Sequence, residues 1–332
     1  MYPVLCLLLF ACEREQAEPA TDPYTFVAPE HFPPVVYDFE RNPVTEAGFL
    51  LGKRLFKDVR LSRDGSVSCS SCHQQVTAFA DPQHRFSVGA GGRGGTRNAP
   101  GLFNLAFRSD YMWDGGVAHL DFAGLPAIES EVEMDTDLQT IVDYLRGDAG
   151  YRAAFRAAFG RDTVTSGLFF QALSQYQGML VSDRSQYDDV VTGRNGAVFS
   201  GAEARGERLF VQHCATCHAG PLQTDNSFRN NGLDAEWGAD EGRMHVTEDP
   251  AHRGQFRVPS LRNVERTPPY MHDGRFATLE EVLQHYSEGV KSSSTLDPAL
   301  PAPMRLTEQE RADIVTFLRT LTDWEFLADP RF

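Results

Sequence analysis

The stretch Ser68-Cys69-Ser70-Ser71-Cys72-His73-Gln74 organises the rest of the chain, because its spacing returns 145 residues later as Cys214-Ala215-Thr216-Cys217-His218. C-x-x-C-H is the attachment pattern for c-type haem. Both thiols add to the porphyrin vinyl groups, and the adjoining imidazole takes one axial face of the iron. The two motifs predict two covalent c-type haems with His73 and His218 as axial ligands. A zinc site of Cys and His is the competing explanation, and the duplicated surroundings argue against it.

The duplication extends on both sides of the motifs. Thr45–Phe56 reads as a helix ending Gly52-Lys53-Arg54-Leu55-Phe56, and Ser200-Gly-Ala-Glu203 is a capping box opening a helix that ends Gly206-Glu207-Arg208-Leu209-Phe210. Downstream, Pro100-Gly-Leu102-Phe-Asn104 matches Pro259-Ser-Leu261-Arg-Asn263, and Tyr111-Met112-Trp113-Asp114-Gly115 matches Tyr270-Met271-His272-Asp273-Gly274. Both matches fall at an offset of 159 residues. This is an internal repeat, and Trp113 of the first copy is His272 in the second.

Between the copies, Leu138, Ile141, Val142 and Leu145 fall on one helical face behind Asp135 as a cap; Tyr151–Phe159 and Leu168–Leu180 form two further amphipathic stretches. Capping boxes at Thr278 and Thr307 open two C-terminal helices, the first with Leu279, Val282, Leu283, Tyr286 and Val290 on one face. Strand signals are few. The expected fold is mostly α: two tandem cytochrome c-like haem domains related by internal duplication. Residues 45–183 form the N-terminal domain, 184–199 a linker and 200–332 the C-terminal domain. Residues 13–44, rich in Pro, Glu and Ala, read as an extended arm or tether.

The chain of 332 residues is 41% hydrophobic with a net charge of −15. That balance argues against nucleic acid as a partner and suits a solvated acidic surface or a basic protein partner. Val4–Ala11 is apolar and too short to span a bilayer, so it reads as the core of an export signal within residues 1–12. Leu9-Phe10-Ala11-Cys12 resembles a lipobox, in which Cys12 would carry a lipid anchor. No other stretch is long and apolar enough for a transmembrane helix. Haem attachment outside the cytoplasm agrees with export, and the expected location is the periplasm.

Taken together, Gly52-Lys-Arg-Leu-Phe-x-Asp-x-Arg-Leu-Ser62, Arg97-Asn-Ala-Pro100, Trp113-Asp-Gly115, Val132-Glu-Met134, Pro259-Ser-Leu-Arg-Asn-Val264 and Pro269-Tyr-Met-His-Asp-Gly274 resemble the bacterial di-haem cytochrome c peroxidase/MauG family over roughly residues 45–325. The resemblance implies a peroxide-reactive N-terminal haem, an electron-handling C-terminal haem and a calcium ion between them. It matches Glu133 to a distal carboxylate that moves a proton between the two oxygens of H2O2, and Trp113 to an indole lying between the haems. Asn98, Thr267 and Pro269 match the positions that supply oxygens to calcium. Alone, Trp113 would read as core and Glu133 as a surface acid.

Two departures from the ordinary peroxidases carry weight. Their removable distal His is missing from Ser87-Val-Gly-Ala-Gly-Gly92, which implies an open site on the first haem, with His84 as the nearby rival. The glycines there suggest backbone pressed close to the haem. Where those peroxidases place a Met ligand to the second haem, this chain has Tyr286, as in the MauG branch; His285 and Met271 are the alternatives. A phenolate favours ferric iron where a thioether favours ferrous. The expected function is reduction of H2O2 with electrons from a protein partner, one of whose own Trp or Tyr side chains is oxidised. The alternatives are a cytochrome c peroxidase fed by a small cytochrome c or cupredoxin, and a pure electron carrier.

Overall fold

The computed structural model of the chain describes residues 23–332, so the export segment, Cys12 and the first part of the arm lie outside the described residues. Twelve helices follow in order: α1 Glu46–Lys57, α2 Cys69–Cys72, α3 Leu125–Glu129, α4 Leu138–Gly147, α5 Ala149–Phe159, α6 Ser166–Gly178, α7 Gln186–Thr192, α8 Gly201–His213, α9 Met244–Thr247, α10 Leu279–Gln284, α11 Glu308–Arg319 and α12 Trp324–Ala328. The only sheet among the described residues is one short antiparallel pair, β1 Phe228–Arg229 with β2 Phe256–Arg257. The fold is mostly α, as the sequence implies.

The duplication is visible in how the helices cross. A Cβ on Gly52 of α1 would lie 2.0 Å from the Ala172 carbonyl oxygen of α6, and one on Gly206 of α8 would lie 2.0 Å from that of Asp313 in α11. Each G-x-R-L-F segment therefore supplies a bare backbone patch where two helices meet face to face. The residues behind it, Leu55 and Phe56 in α1 and Phe210 in α8, are buried. Each such side chain contributes roughly 1.5–3 kcal/mol by leaving water. Capping boxes close the N-termini of α8, α10 and α11 at Ser200, Thr278 and Thr307.

Four expectations need correction. Helix α4 is capped by Asp137, which accepts from Thr140 N at 2.9 Å. Asp135 instead adopts a positive φ of 51° and pairs with Arg63 and Arg93. The polar segment 184–199 contains helix α7, whose Asp188 is fully buried against Arg262. The described part of the arm is packed rather than loose: Phe32 and Tyr37 join a core with Leu105 and Phe107, and His31 bonds Asp188 at 2.9 Å. Finally, the chain end leaves the C-terminal half. Phe326 of α12 and Phe332 enter the N-terminal core beside Phe49 and Phe79, and Lys57 Nζ donates to the Phe332 backbone oxygen at 2.8 Å.

Candidate haem sites and the region between them

Helix α2 is a single turn that places Cys69, Cys72 and then His73 along one short segment behind Ser68. His73 Nδ1 lies 2.6 Å from the Phe79 carbonyl, and His218 Nδ1 lies 3.1 Å from the Gln223 carbonyl. A carbonyl only accepts, so Nδ1 carries the proton in both rings and Nε2 keeps its lone pair for iron. Phe79 and Gln223 both adopt positive φ, 58° and 52°. Each loop thus holds its imidazole through a non-glycine residue in the left-handed region, six residues after His73 and five after His218, a strained conformation of the sort that persists at functional sites. Burial keeps both imidazoles neutral and pushes the Cys69 and Cys214 thiols up to about 12.

Glu133 lies near enough to the first motif for its charge to raise the Cys69 and Cys72 thiols slightly, after the larger effect of burial. Its side chain is accessible, yet the surrounding protein desolvates it enough to raise its pKa, against a lowering hydrogen bond from Ser130. The glycine loop explains its placement. Ala90 N donates to the Glu133 carbonyl at 2.7 Å, and a Cβ on Gly89 would lie 2.3 Å from the Val132 oxygen and 2.6 Å from Glu133 Cα. The close approach that the glycines allow is to the Glu133 backbone. His84 is bound to Asp81 at 3.1 Å on an exposed loop.

In the second half a cavity of about 240 Å³ is lined by Cys214, Cys217, His218, Met271, Leu283 and Tyr286, among others. Helix α10 ends at Gln284 and widens into a π-turn, His285–Gly289, so the single stripe expected through Val290 is interrupted. Tyr286 lines the cavity, and burial pushes its phenol up to about 12. Asn231 Nδ2 donates to the Tyr286 hydroxyl at 3.3 Å and lies 3.4 Å from Met271 Sδ. His285 is not on the cavity wall; its Nε2 donates to the Asn231 carbonyl at 3.2 Å. Sequence reasoning missed Asn231, because no motif marks a residue that acts only through a neighbour distant in the chain.

Trp113, Asn98, Thr267 and Pro269 reach the same cavity. Trp113 Nε1 donates to the Asn98 carbonyl at 2.8 Å, and Asn98 N donates to the His272 carbonyl at 2.7 Å. Trp113 and its repeat mate His272 are therefore joined through one residue. His272 stacks on Phe256 with ring centroids 3.6 Å apart, and burial pushes its pKa down to about 4. The Asn98 amide donates to the Arg85 carbonyl at 3.3 Å, which directs Oδ1 away from that bond.

Residues 46–196 match the family of di-haem cytochrome c peroxidases, and residues 203–322 match cytochrome c. A methylamine utilization protein MauG of Methylorubrum extorquens is 37% identical over 284 residues, covering 84% of this chain and 79% of the relative. The chain belongs to the di-haem cytochrome c peroxidase/MauG family. Another relative, cytochrome-c peroxidase IdrP1 of Denitromonas iodatirespirans, is 34% identical, with 87% of this chain and 86% of that protein covered. The crystal structure of a MauG-like protein associated with microbial copper homeostasis superimposes with a TM-score of 0.85 at 35% identity, covering 92% of this chain and 97% of that one.

Membership implies two c-type haems, and the residues fit them. Each site offers two thiols, an imidazole with free Nε2 and an apolar wall. The Tyr176 hydroxyl, beside Cys69, is buried without a hydrogen-bond partner among the described residues, so the surroundings of the first motif are incomplete without a further group. Like its peroxidase and MauG relatives, the chain is an oxidoreductase. No helix among the described residues is long and apolar enough to cross a membrane.

Proposed function

We propose that the chain reduces H2O2 at the His73 site and draws the electrons through the His218 site from a partner protein whose own Trp or Tyr side chain is oxidised. Tyr286 carries this reading: its phenol lines the cavity with His218, while His285 is turned to the Asn231 carbonyl. The haems supply iron that accepts and releases electrons. The protein's part is to position and to move protons. His73 and His218 would hold the irons by Nε2, with Nδ1 fixed by the Phe79 and Gln223 carbonyls. Glu133, the distal carboxylate of the first site, takes a proton from one peroxide oxygen and returns it to the other as water leaves. Its raised pKa suits both steps. The rival imidazole, His84, is bound to Asp81 at 3.1 Å, which supports an open site there.

Trp113 serves as the indole between the sites. Calcium is part of this reading: Asn98, Thr267 and Pro269 all line the cavity, and an amide oxygen and two carbonyls are hard donors of the kind it takes. No cluster of three His, Cys, Asp or Glu side chains suited to a metal occurs among the described residues, so this would be a carbonyl-and-amide site completed by water. The protein acts in the periplasm, where haem attachment takes place, with a lipid anchor if Cys12 is processed.

A second reading, peroxide removal with a small cytochrome c or cupredoxin as donor, is supported by relatives named cytochrome c peroxidase. A pure electron carrier has no use for Glu133. The two peroxidatic readings separate by supplying H2O2 with either reduced cytochrome c or the protein encoded beside this chain. A covalent gain of oxygen or a cross-link in the neighbour supports our reading; steady turnover with cytochrome c and an unmodified neighbour refutes it.

A further inference from the structure

Arg108 and Arg257 both line the cavity that holds His218 and Tyr286. Arg257 is only 4% exposed; its Nε donates to the Met112 carbonyl at 3.3 Å, and its backbone N donates to the Trp113 carbonyl at 2.7 Å. Arg108 Nη2 donates to the Phe103 carbonyl at 3.2 Å. Neither guanidinium forms an ion pair with a carboxylate among the described residues. Asp110 acts on Arg257 only from a distance and takes its hydrogen bond from Ser109. Arg229 on the same wall shows the contrast, pairing with Asp225 at 2.8 Å and Asp297 at 2.9 Å. Arg257 is a buried cation without a carboxylate partner, which is strongly unfavourable, and the half-buried Arg108, which packs over the Tyr111 ring, repels it further. Burial lowers the pKa of both, with Arg108 adding repulsion at Arg257.

We propose that Arg108 and Arg257 form a carboxylate-binding subsite that takes a propionate of the C-terminal haem. Guanidinium is the side chain suited to a carboxylate, through paired N–H donors, and propionates are the anionic part of an otherwise apolar macrocycle. Arg257 also clamps Met112 and Trp113 from the other half of the molecule, so the bound carboxylate is fixed relative to Trp113. The duplication adds an independent argument. At the offset of 159 residues, Arg257 is the mate of Asn98 and Arg108 the mate of Thr267. Two of the three positions that offer oxygens to a cation in one combination therefore offer fixed cations in the other, while the third, Pro269, has Asp110 as its mate. This last comparison rests on the calcium reading above; the subsite does not.

The test is a redox titration of the second haem in the holoenzyme of wild type, Arg257→Met, Arg257→Lys and Arg108→Met between pH 5 and pH 8. Removing a positive charge stabilises ferric iron, so both Met variants should have a lower potential at pH 8. Their potential should then rise as pH falls, because the unpaired propionate takes up a proton; Arg257→Lys should restore most of the wild-type behaviour. Wild-type potential and pH dependence in both Met variants would overturn the proposal. So would a shift of the wild-type potential on adding sodium phosphate or chloride, since the arginines would then be holding a free anion.

Discussion

The side-chain amide of Asn231 donates to the Tyr286 hydroxyl at 3.3 Å, while the carbonyl of the same residue takes the Nε2 proton of His285. One residue thereby holds the phenol on the cavity wall and engages the rival imidazole elsewhere. A hydrogen bond to a phenolate stabilises the charged form. If Tyr286 ligates the second iron as proposed, Asn231→Ala should weaken that bond and move the ferric absorption of the second haem towards a high-spin form. An unchanged spectrum would mean that Asn231 does not support the ligand.

In the proposed reaction Glu133 acts as a base only when ionised, and desolvation by the surrounding protein raises its pKa above the usual carboxylate value although the residue keeps solvent access. The rate of reaction with H2O2 should therefore rise with pH through that raised pKa and level off above it. Glu133→Gln should slow the reaction by about 10²–10⁴-fold without altering either haem spectrum. Stopped-flow mixing with peroxide across pH 4–8 measures both.

Gly52 and Gly206 make the same prediction twice. Gly52→Ala and Gly206→Ala each drive a methyl group into a backbone carbonyl at 2.0 Å. Each should cost about 1–3 kcal/mol by forcing the helices apart, read as a lower thermal midpoint. An unshifted midpoint in both would show that these crossings are not close-packed.

Arg262 and Asp188 are both fully buried, and Asp188 also bonds His31 of the arm. Arg262→Met leaves a carboxylate uncompensated and should cost about 3–5 kcal/mol in unfolding free energy. Adding Asp188→Leu should recover part of it. The Arg262 charge holds Asp188 below its usual pKa. The stabilisation is therefore present above the unfolded carboxylate pKa and lost as pH falls through the folded one. Denaturant titrations of both variants near neutral pH, and of wild type into acid, check this.

Much of this architecture could be read from the chain. The repeated Cys-x-x-Cys-His, the paired G-x-R-L-F segments and the capping boxes are local signals, and each specifies local structure. Features that depend on partners far away in sequence were hidden. Helix α7 looks like a polar linker because Asp188 is polar, and only Arg262, 74 residues later, makes its burial tolerable. The last residues look like the end of the second domain, yet Phe326 packs at a tilt against Phe79 of the first, with ring centroids 5.7 Å apart. The π-turn after Gln284 leaves the apolar periodicity almost intact, so Tyr286 was legible as a candidate while the turn that carries it was not. Arg257 was invisible for the same reason: its meaning lies in a missing carboxylate.

Whether Tyr286 closes the second haem is decided by spectroelectrochemical titration of Tyr286→Met against wild type. Replacing a phenolate by a thioether should raise the potential of the second haem while the first stays as it was. An unchanged second potential would contradict the account, because Tyr286 would then not be bound to the iron.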